Sequence, residues 1–340
     1  MGAAQVLSLF EGPILAIESS CDETSVAVVV GRKVLANSIA SQIDLHRKWG
    51  GVVPEAAARA HVEALLPILQ EASSEAGISL RDMAAVAVTN RPGLIGALSV
   101  GVTAAKAIAY RYQLPLIGVH HLEGHLLSVL GLDQEVPFPH MALVVSGGHT
   151  ELVSVRALGE YEIIGETRDD AAGEAFDKGA RLLGLGSPGG LMIQEAARTG
   201  NPKRYPLPKG LTGDTIDFSF SGLKTAVLRL VEKEAQALNV ADAAASLQEA
   251  IVSVLTERAL RAVERQGVEA LTLVGGVAAN LALRERLAKA CDRIGVTFLT
   301  PPLSLCTDNA AMIGLAASHR LAAGQRDDIF LEAMATAQLG

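Results

Sequence analysis

Apolar residues recur in two matching patterns along this chain, and the repeat predicts its architecture. From Ile14 the order is ILAIESS, CDET, SVAVVV, a turn at Gly31 and Arg32, then VLANSIASQ. Runs of this length bounded by small polar turns read as three antiparallel strands. From Met141 the order returns as ALVVSGG, HT, ELVSVRAL, a turn at Gly159 and YEIIGETRDD. Helical and β segments then alternate in both halves. In the first, residues 54–76 and 98–112 have helical spacing, with MAAVAVT and PLIGVHH as strands. In the second, residues 242–266, 280–294 and 309–323 read as helices, with LTLVGG and VTFLTPP as strands.

Two copies of one α/β unit predict two lobes facing each other across a cleft, with the first turn of each meander pointing into it. At 340 residues the chain exceeds one ordinary core. The expected division is a disordered extension over 1–13, a first lobe over 14–130 rejoined by 309–340, and a second lobe over 131–308. Residues 131–140, with two prolines, are the expected crossing. Residues 189–222, rich in Gly and Pro, are expected to form an irregular insertion near the substrate.

Composition narrows the class. With 49% hydrophobic and 19% charged residues and no long uninterrupted apolar run, the chain reads as a soluble enzyme without a membrane span. The first twelve residues fit neither a signal nor a transit peptide. Three separated cysteines argue against a disulfide framework, so the expected compartment is the cytoplasm. A net charge of −8 repels polyanions, so any RNA contact must use local patches or partner proteins. Candidate patches are Arg32 with Lys33, Arg47 with Lys48, and the stretch holding Arg198, Lys203, Arg204 and Lys209, each of which also fits a solvated surface.

Three groups of residues could carry chemistry. His121 and His125 lie four apart and share one helical face, a spacing a divalent metal accepts; Asp308, at the mouth of the last helix, would complete a two-His-one-carboxylate set. Alone, such a pair also fits a packing role. The Ser146-Gly147-Gly148 turn and the Gly275-Gly276 turn before a helix starting near Asn280 suit the approach of a phosphate, although a Gly pair after a strand is commonly only a turn. Asp22 and Asp177, expected in turns facing the cleft, could orient a ribose, a water or a metal, or simply cap a turn. Lys224, in FSFSGLKT, could meet a phosphate.

These segments resemble the TsaD family, the tRNA threonylcarbamoyladenosine proteins once labelled O-sialoglycoprotein endopeptidases. The resemblance rests on ESSCDETS, SQIDLHRKWGGVVPEAAARAH, PGLIGALSVG, VHHLEGHLL, LVVSGGHTEL, DDAAGEAFDKGARLLGLGSPGG, FSFSGLKT, VGGVAAN and LCTDNAAM, and it spans about residues 14–317. It implies a duplicated actin/Hsp70-like (ASKHA) fold with a nucleotide cleft between the lobes. It also implies an acyltransferase that moves a threonylcarbamoyl group from threonylcarbamoyl-AMP to N6 of the adenosine beside the anticodon, in tRNAs reading codons that begin with A. On the same ground His121, His125 and Asp308 hold one iron or zinc ion, and Asp22 is a catalytic residue, an acidic side chain of the cleft implicated in activity. Val144, Val145, Ser146, Gly147, Gly148, Asp177, Gly190 and Asn280 contact the adenylate. The implied partners are tRNA, a paralogous TsaB-type lobe protein and a TsaE-type ATPase, with the donor made by a TsaC-type synthase, in a bacterial cytoplasm. One departure is Thr89-Asn90-Arg91 before Pro92-Gly93, where a smaller pair is expected; it leaves local substrate contacts open.

Three other functions compete. A zinc protease of the H-E-x-x-H type needs a Glu directly after the first His, whereas Glu123 lies two residues after His121, about 200° around the helix. A sugar kinase or ATPase of the same fold would use the glycine turns but not the His pair. A nucleotide-binding scaffold would need no chemistry at all.

Overall fold

The structure is a computed structural model and describes residues 8–49 and 51–339. The chain forms two compact units. One ends at Glu135 and resumes at Asp308; the other runs from Val136 to Thr307. Both boundaries differ slightly from the expected 130/131 and 308/309, and Asp308 belongs with the first unit. Of the expected disordered extension, residues 1–7 lie outside the described residues. Residues 8–13 are tied to the first unit: the Phe10 N–H donates to the Ser318 carbonyl at 3.1 Å and its own carbonyl accepts from Gly31.

In the first unit, strands β1 (Ile14–Glu18), β2 (Glu23–Val30) and β3 (Lys33–Ser41) form the antiparallel meander. A short helix α1 (Ile43–Arg47) and the long α2 (Pro54–Ala76) follow, then β4 (Ala85–Arg91), α3 (Ile95–Tyr112), β5 (Leu116–His120) and α4 (His121–Leu127). The sheet order is β3-β2-β1-β4-β5, with β4 and β5 parallel to β1. Period-two alternation gives each strand two apolar faces. Leu15 and Ile17 pack with Leu65, Ile68 and Leu69 of α2 and Val102 and Ala105 of α3.

The second unit repeats this design. Strands β6 (His140–Val145), β7 (Thr150–Ala157) and β8 (Glu160–Glu166) form its meander. Helices α5 (Ala172–Leu182), α6 (Gly189–Ala197), α7 (Ser221–Glu234) and α8 (Val240–Gln266) come next, then β9 (Ala270–Val274), α9 (Leu281–Arg293) and β10 (Thr297–Leu299). Its order, β8-β7-β6-β9-β10, matches the first sheet strand for strand, with the same mix of antiparallel and parallel pairs. The last helix, α10 (Ala310–Ala322), belongs to the first unit, where it packs on β1 and β2.

The region 189–222 is not irregular throughout, because α6 occupies its first nine residues. Gly189 and Gly190 sit in the first turn, where helix propensity matters least, while Ile193 and Ala197 share a buried face four residues apart. Asp177 lies inside α5 rather than in a turn. Among the described residues, no helix is long and apolar enough to cross a membrane.

Candidate functional site

In the first unit β5 runs straight into α4, and the His120 side chain caps that helix by accepting from the Leu122 N–H at 3.2 Å. Four-residue spacing then stacks His121 and His125, whose ring centroids are 4.7 Å apart and nearly perpendicular. Gly124, between them, lets α10 come close: a Cβ there would meet the Ile313 side chain at 2.7 Å and Met312 at 3.2 Å. At the start of α10, Asn309 caps by accepting from the Met312 N–H at 3.0 Å, and the Ala310 N–H donates to Ser25 at 2.9 Å. Asp308 is thereby fixed beside the histidines. Its Oδ1 lies 3.1 Å from His125 Nε2 and 3.5 Å from His121 Nε2. Among the described residues these three form the one cluster whose donor atoms, all within 4.8 Å of one another, could hold a metal ion.

The remaining atoms of the cluster test whether a cation fits. His121 Nδ1 lies 3.1 Å from Glu18 Oε2 and 3.2 Å from the Ser20 hydroxyl, so its Nε2 is the nitrogen turned toward Asp308. Burial pushes the His121 imidazole down, but the Asp308 and Glu18 carboxylates outweigh this and hold it well above its ordinary value. Burial likewise pushes Asp308 up, and the charge and hydrogen bonds of His121, with those of His125, hold it well below the usual carboxylate range. A site that so strongly draws positive charge is one a cation can fill in place of a proton. Two imidazoles and one carboxylate suit a first-row transition metal or zinc better than magnesium or calcium. The Asp308 side chain keeps 25% of its surface exposed, which leaves a route for exchange.

Other residues of this unit have distinct places. Asp22 is half-buried in the β1–β2 turn and is not part of the three-residue cluster. That turn is pinned by His61, a residue not singled out in the sequence: its Nε2 donates to the Cys21 carbonyl at 3.0 Å and its Nδ1 accepts from Thr24 at 2.7 Å. Burial, with the Asp22 and Asp308 charges, pushes the Cys21 thiol up, so it is no thiolate nucleophile. Glu123 is buried with its carboxylate 3.6 Å from Arg320, outside the cluster. The Asn90-Arg91 departure is structural. Buried Asn90 donates its side-chain amide to the Glu332 carbonyl at 3.0 Å, accepts from the Met334 N–H at 2.8 Å and from Arg91 at 2.9 Å, clamping the C-terminal segment against β4 and β5.

The second unit holds a cavity of about 370 Å³, and of the residues the resemblance singles out, Gly147, Asp177, Gly190 and Asn280 line it. Val144, Val145, Ser146 and Gly148 do not. Val144 and Val145 are fully buried in β6, and Ser146 closes its turn by accepting from the His149 N–H at 3.1 Å. Gly275 has φ +93°, and a Cβ there would lie 2.5 Å from the Val145 carbonyl, so the turn after β9 needs glycine. Asp177 accepts from the Gly189 N–H at 2.8 Å, joining α5 to α6. Asn280 caps α9 by accepting from Leu283 at 3.0 Å and donates to Gln248 at 2.9 Å. Its amide is thus engaged by the protein itself and not only by a ligand.

The candidate cations divide. Arg32 bonds the Leu130 and Gln134 carbonyls, Arg47 pairs with Asp44, and Arg198 pairs with Glu195. Lys33, Lys48, Lys203, Arg204, Lys209 and Lys224 are exposed and form no ion pair among the described residues.

A model of the TsaD family, described as tRNA N6-adenosine threonylcarbamoyltransferase, matches residues 33–315. A protein of that name from Symbiobacterium thermophilum is 52% identical over 335 residues, covering 98% of each chain. Another, from Anaeromyxobacter dehalogenans, is 52% identical over 318 residues, 92% of this chain and 95% of its own. Among solved structures, HypF from T. kodakarensis superposes with a TM-score of 0.61 at 13% identity, over 93% of this chain and 49% of its own. Component A of the Acidaminococcus fermentans (R)-2-hydroxyglutaryl-CoA dehydratase gives 0.57 at 17% identity, over 92% and 99%. These two likenesses concern the fold alone, an α/β design with two mixed sheets.

Proposed function

We infer, because this chain belongs to the tRNA N6-adenosine threonylcarbamoyltransferase family, that it moves a threonylcarbamoyl group from threonylcarbamoyl-AMP to N6 of the adenosine beside the anticodon, in tRNAs reading codons that begin with A. It is a transferase of tRNA modification. The observation that carries the finer reading is the convergence of His121 Nε2 and His125 Nε2 on Asp308 Oδ1.

The adenine amine is a weak nucleophile because its lone pair is delocalised into the ring, so the donor must bring a good leaving group. In the transfer the N6 lone pair forms the bond to the carbamoyl carbon, the bond from that carbon to the AMP phosphate oxygen breaks, and AMP leaves with the electron pair. One iron or zinc ion held by His121, His125 and Asp308 supplies Lewis acidity and orientation. The glycine turns at Gly147 and Gly276 let backbone N–H groups approach the adenylate, and the first turn of α9 adds favourable partial charge. Asp177 and Gly190 hold the nucleoside end. Asp22 accepts the proton that N6 gives up. With the Cys21 thiol held protonated, no covalent acyl-enzyme is needed.

Proteolysis is disfavoured because Glu123 pairs with Arg320 and is not part of the His121, His125 and Asp308 cluster. A kinase or a scaffold leaves the His-His-Asp cluster without a task. The net charge of −8 gives little attraction for tRNA, which supports a need for a TsaB-type lobe protein and a TsaE-type ATPase, with donor from a TsaC-type synthase, in the cytoplasm. The test is incorporation of labelled threonine from threonylcarbamoyl-AMP into unmodified tRNA, with and without those partners. The expected result is label in tRNA matched by released AMP and little turnover by the chain alone. AMP release without label in the tRNA would overturn the reading.

A further inference from the structure

Glu18 lies at the end of β1, fully buried, 103 positions before the histidine it touches. Both of its oxygens accept hydrogen bonds. Oε1 takes the Ser20 N–H at 2.5 Å, and Oε2 takes the Thr89 hydroxyl at 2.6 Å. As a carboxylate bound in this way Glu18 is acceptor-only, so at the 3.1 Å contact His121 Nδ1 is the donor. That assignment fixes the ring. With Nδ1 engaged by Glu18, Nε2 is the nitrogen that faces Asp308 Oδ1 at 3.5 Å, where either a proton or a cation must lie between the two.

We propose that Glu18 is a positioning residue: it sets the tautomer and ring orientation of His121 so that Nε2 is presented as a metal ligand. This rests on the reading of His121, His125 and Asp308 as the metal site. Three elements serve the arrangement, since the acceptor comes from β1, its hydroxyl anchor Thr89 from β4, and the imidazole from α4. A histidine ligand held by a carboxylate on its other nitrogen is more basic and loses less freedom on binding, and loss of such a partner costs about 10- to 100-fold in metal affinity. His125 is held differently, because its Nδ1 is buried and has no hydrogen-bond partner among the described residues. Orientation by a carboxylate is therefore confined to one of the two imidazoles.

The arrangement separates charge from geometry in a testable way. In Glu18→Gln only one amide oxygen remains to accept: the NH2 group meets either the Ser20 N–H, or His121 Nδ1 and the Thr89 hydroxyl and then reverses their hydrogen bonds, so the amide cannot reproduce the carboxylate. Thr89→Val keeps the charge but removes one anchor of Glu18. The full-length chain, stripped of metal by a chelator, is titrated with Zn2+ against a chromophoric chelator and separately loaded with Co2+ for its visible absorption spectrum. His125→Ala serves as the control for the site itself. The expected result is one ion bound by the wild type and none at comparable affinity by His125→Ala. Affinity should fall about 10- to 100-fold in Glu18→Gln and Glu18→Ala, less in Thr89→Val, with an altered Co2+ spectrum in all three. A role confined to packing would lower stability without moving the spectrum. Wild-type affinity and an unchanged spectrum in Glu18→Gln and Thr89→Val would overturn the proposal, and this holds even if Glu18→Ala fails to fold. Should the wild type bind no ion, or His125→Ala bind as tightly as wild type, the metal reading itself fails.

Discussion

The two units share one sheet topology but equip their strand ends in opposite ways. In the first, β1 and β5 end in side chains with charge and ligand atoms, Glu18 and the His121–His125 pair, each held by buried hydrogen bonds. The helix after β10 plays the part that α4 plays after β5, and it brings Asp308 to the same cluster. In the second, β6 and β9 run into the turns that hold Gly147 and Gly275, and the cavity in this unit is lined by glycines together with apolar and amide side chains such as Phe176, Leu191 and Asn280. A duplicated scaffold can thus divide its work, one unit gathering side chains that could hold a cation and the other a cavity bordered by glycine turns. Substitutions should therefore separate cleanly, with metal content responding to one set of residues and adenylate affinity to the other.

Two buried glutamates show the contrast most sharply. Burial pushes Glu18 up, but the charge and hydrogen bond of His121, helped by Thr89, bring it below the usual carboxylate range. Glu151 of β7 has no such partner at its Oε2, and burial with the charge of Glu166 across the β7–β8 pair pushes it up to about 7. A carboxyl with a raised folded value contributes stability that is fully present below its ordinary 4.5 and is lost as pH rises through 7. Glu151→Gln should therefore be more stable than the wild type at pH 8 by about 1–3 kcal/mol, with the gap closing or reversing near pH 4.5. Chemical denaturation at the two pH values reads this directly. A gap independent of pH would mean that the carboxyl stays ionised in the fold.

A smaller effect is expected at Asn280. Removing its side chain takes away the α9 cap and leaves Gln248 Oε1 without the 2.9 Å donor, at a cost of about 1–2 kcal/mol in stability. Because the residue also lines the cavity, affinity for an AMP-containing ligand should fall in calorimetry while bound metal stays at the wild-type level. A loss of metal in Asn280→Ala would erase the division between the units.

The duplicated fold was legible because it is written in local pattern: apolar runs of strand length, glycine turns and helical spacing recur in the same order in both halves. The histidine spacing was legible for the same reason, and Asp308 because the last helix had to return to the first unit. Glu18 was hidden, since its partners Thr89 and His121 stand 71 and 103 positions away and only the sheet register joins them. Asp177, expected in a turn, lies in a helix whose buried face includes Phe176 and Ala180. Helix α6 is hidden in the sequence by the Gly- and Pro-rich composition of residues 189–222, because Gly189 and Gly190 stand in its first turn. Asn90 stands out in the sequence only as a departure from an expected smaller residue, and its role is not legible there because it binds backbone groups of residues 332 and 334.

The central claim is that a cation held by the first unit serves the transfer. The direct measurement is elemental analysis of purified His125→Ala and Asp308→Ala, paired with threonine incorporation into tRNA in the presence of the partner proteins. The account predicts that both variants lose the ion and the transfer together, that melting temperatures shift by only a few degrees, and that Asn280→Ala keeps its ion. Full metal occupancy in both variants, or transfer at the wild-type rate by metal-free protein, would contradict it.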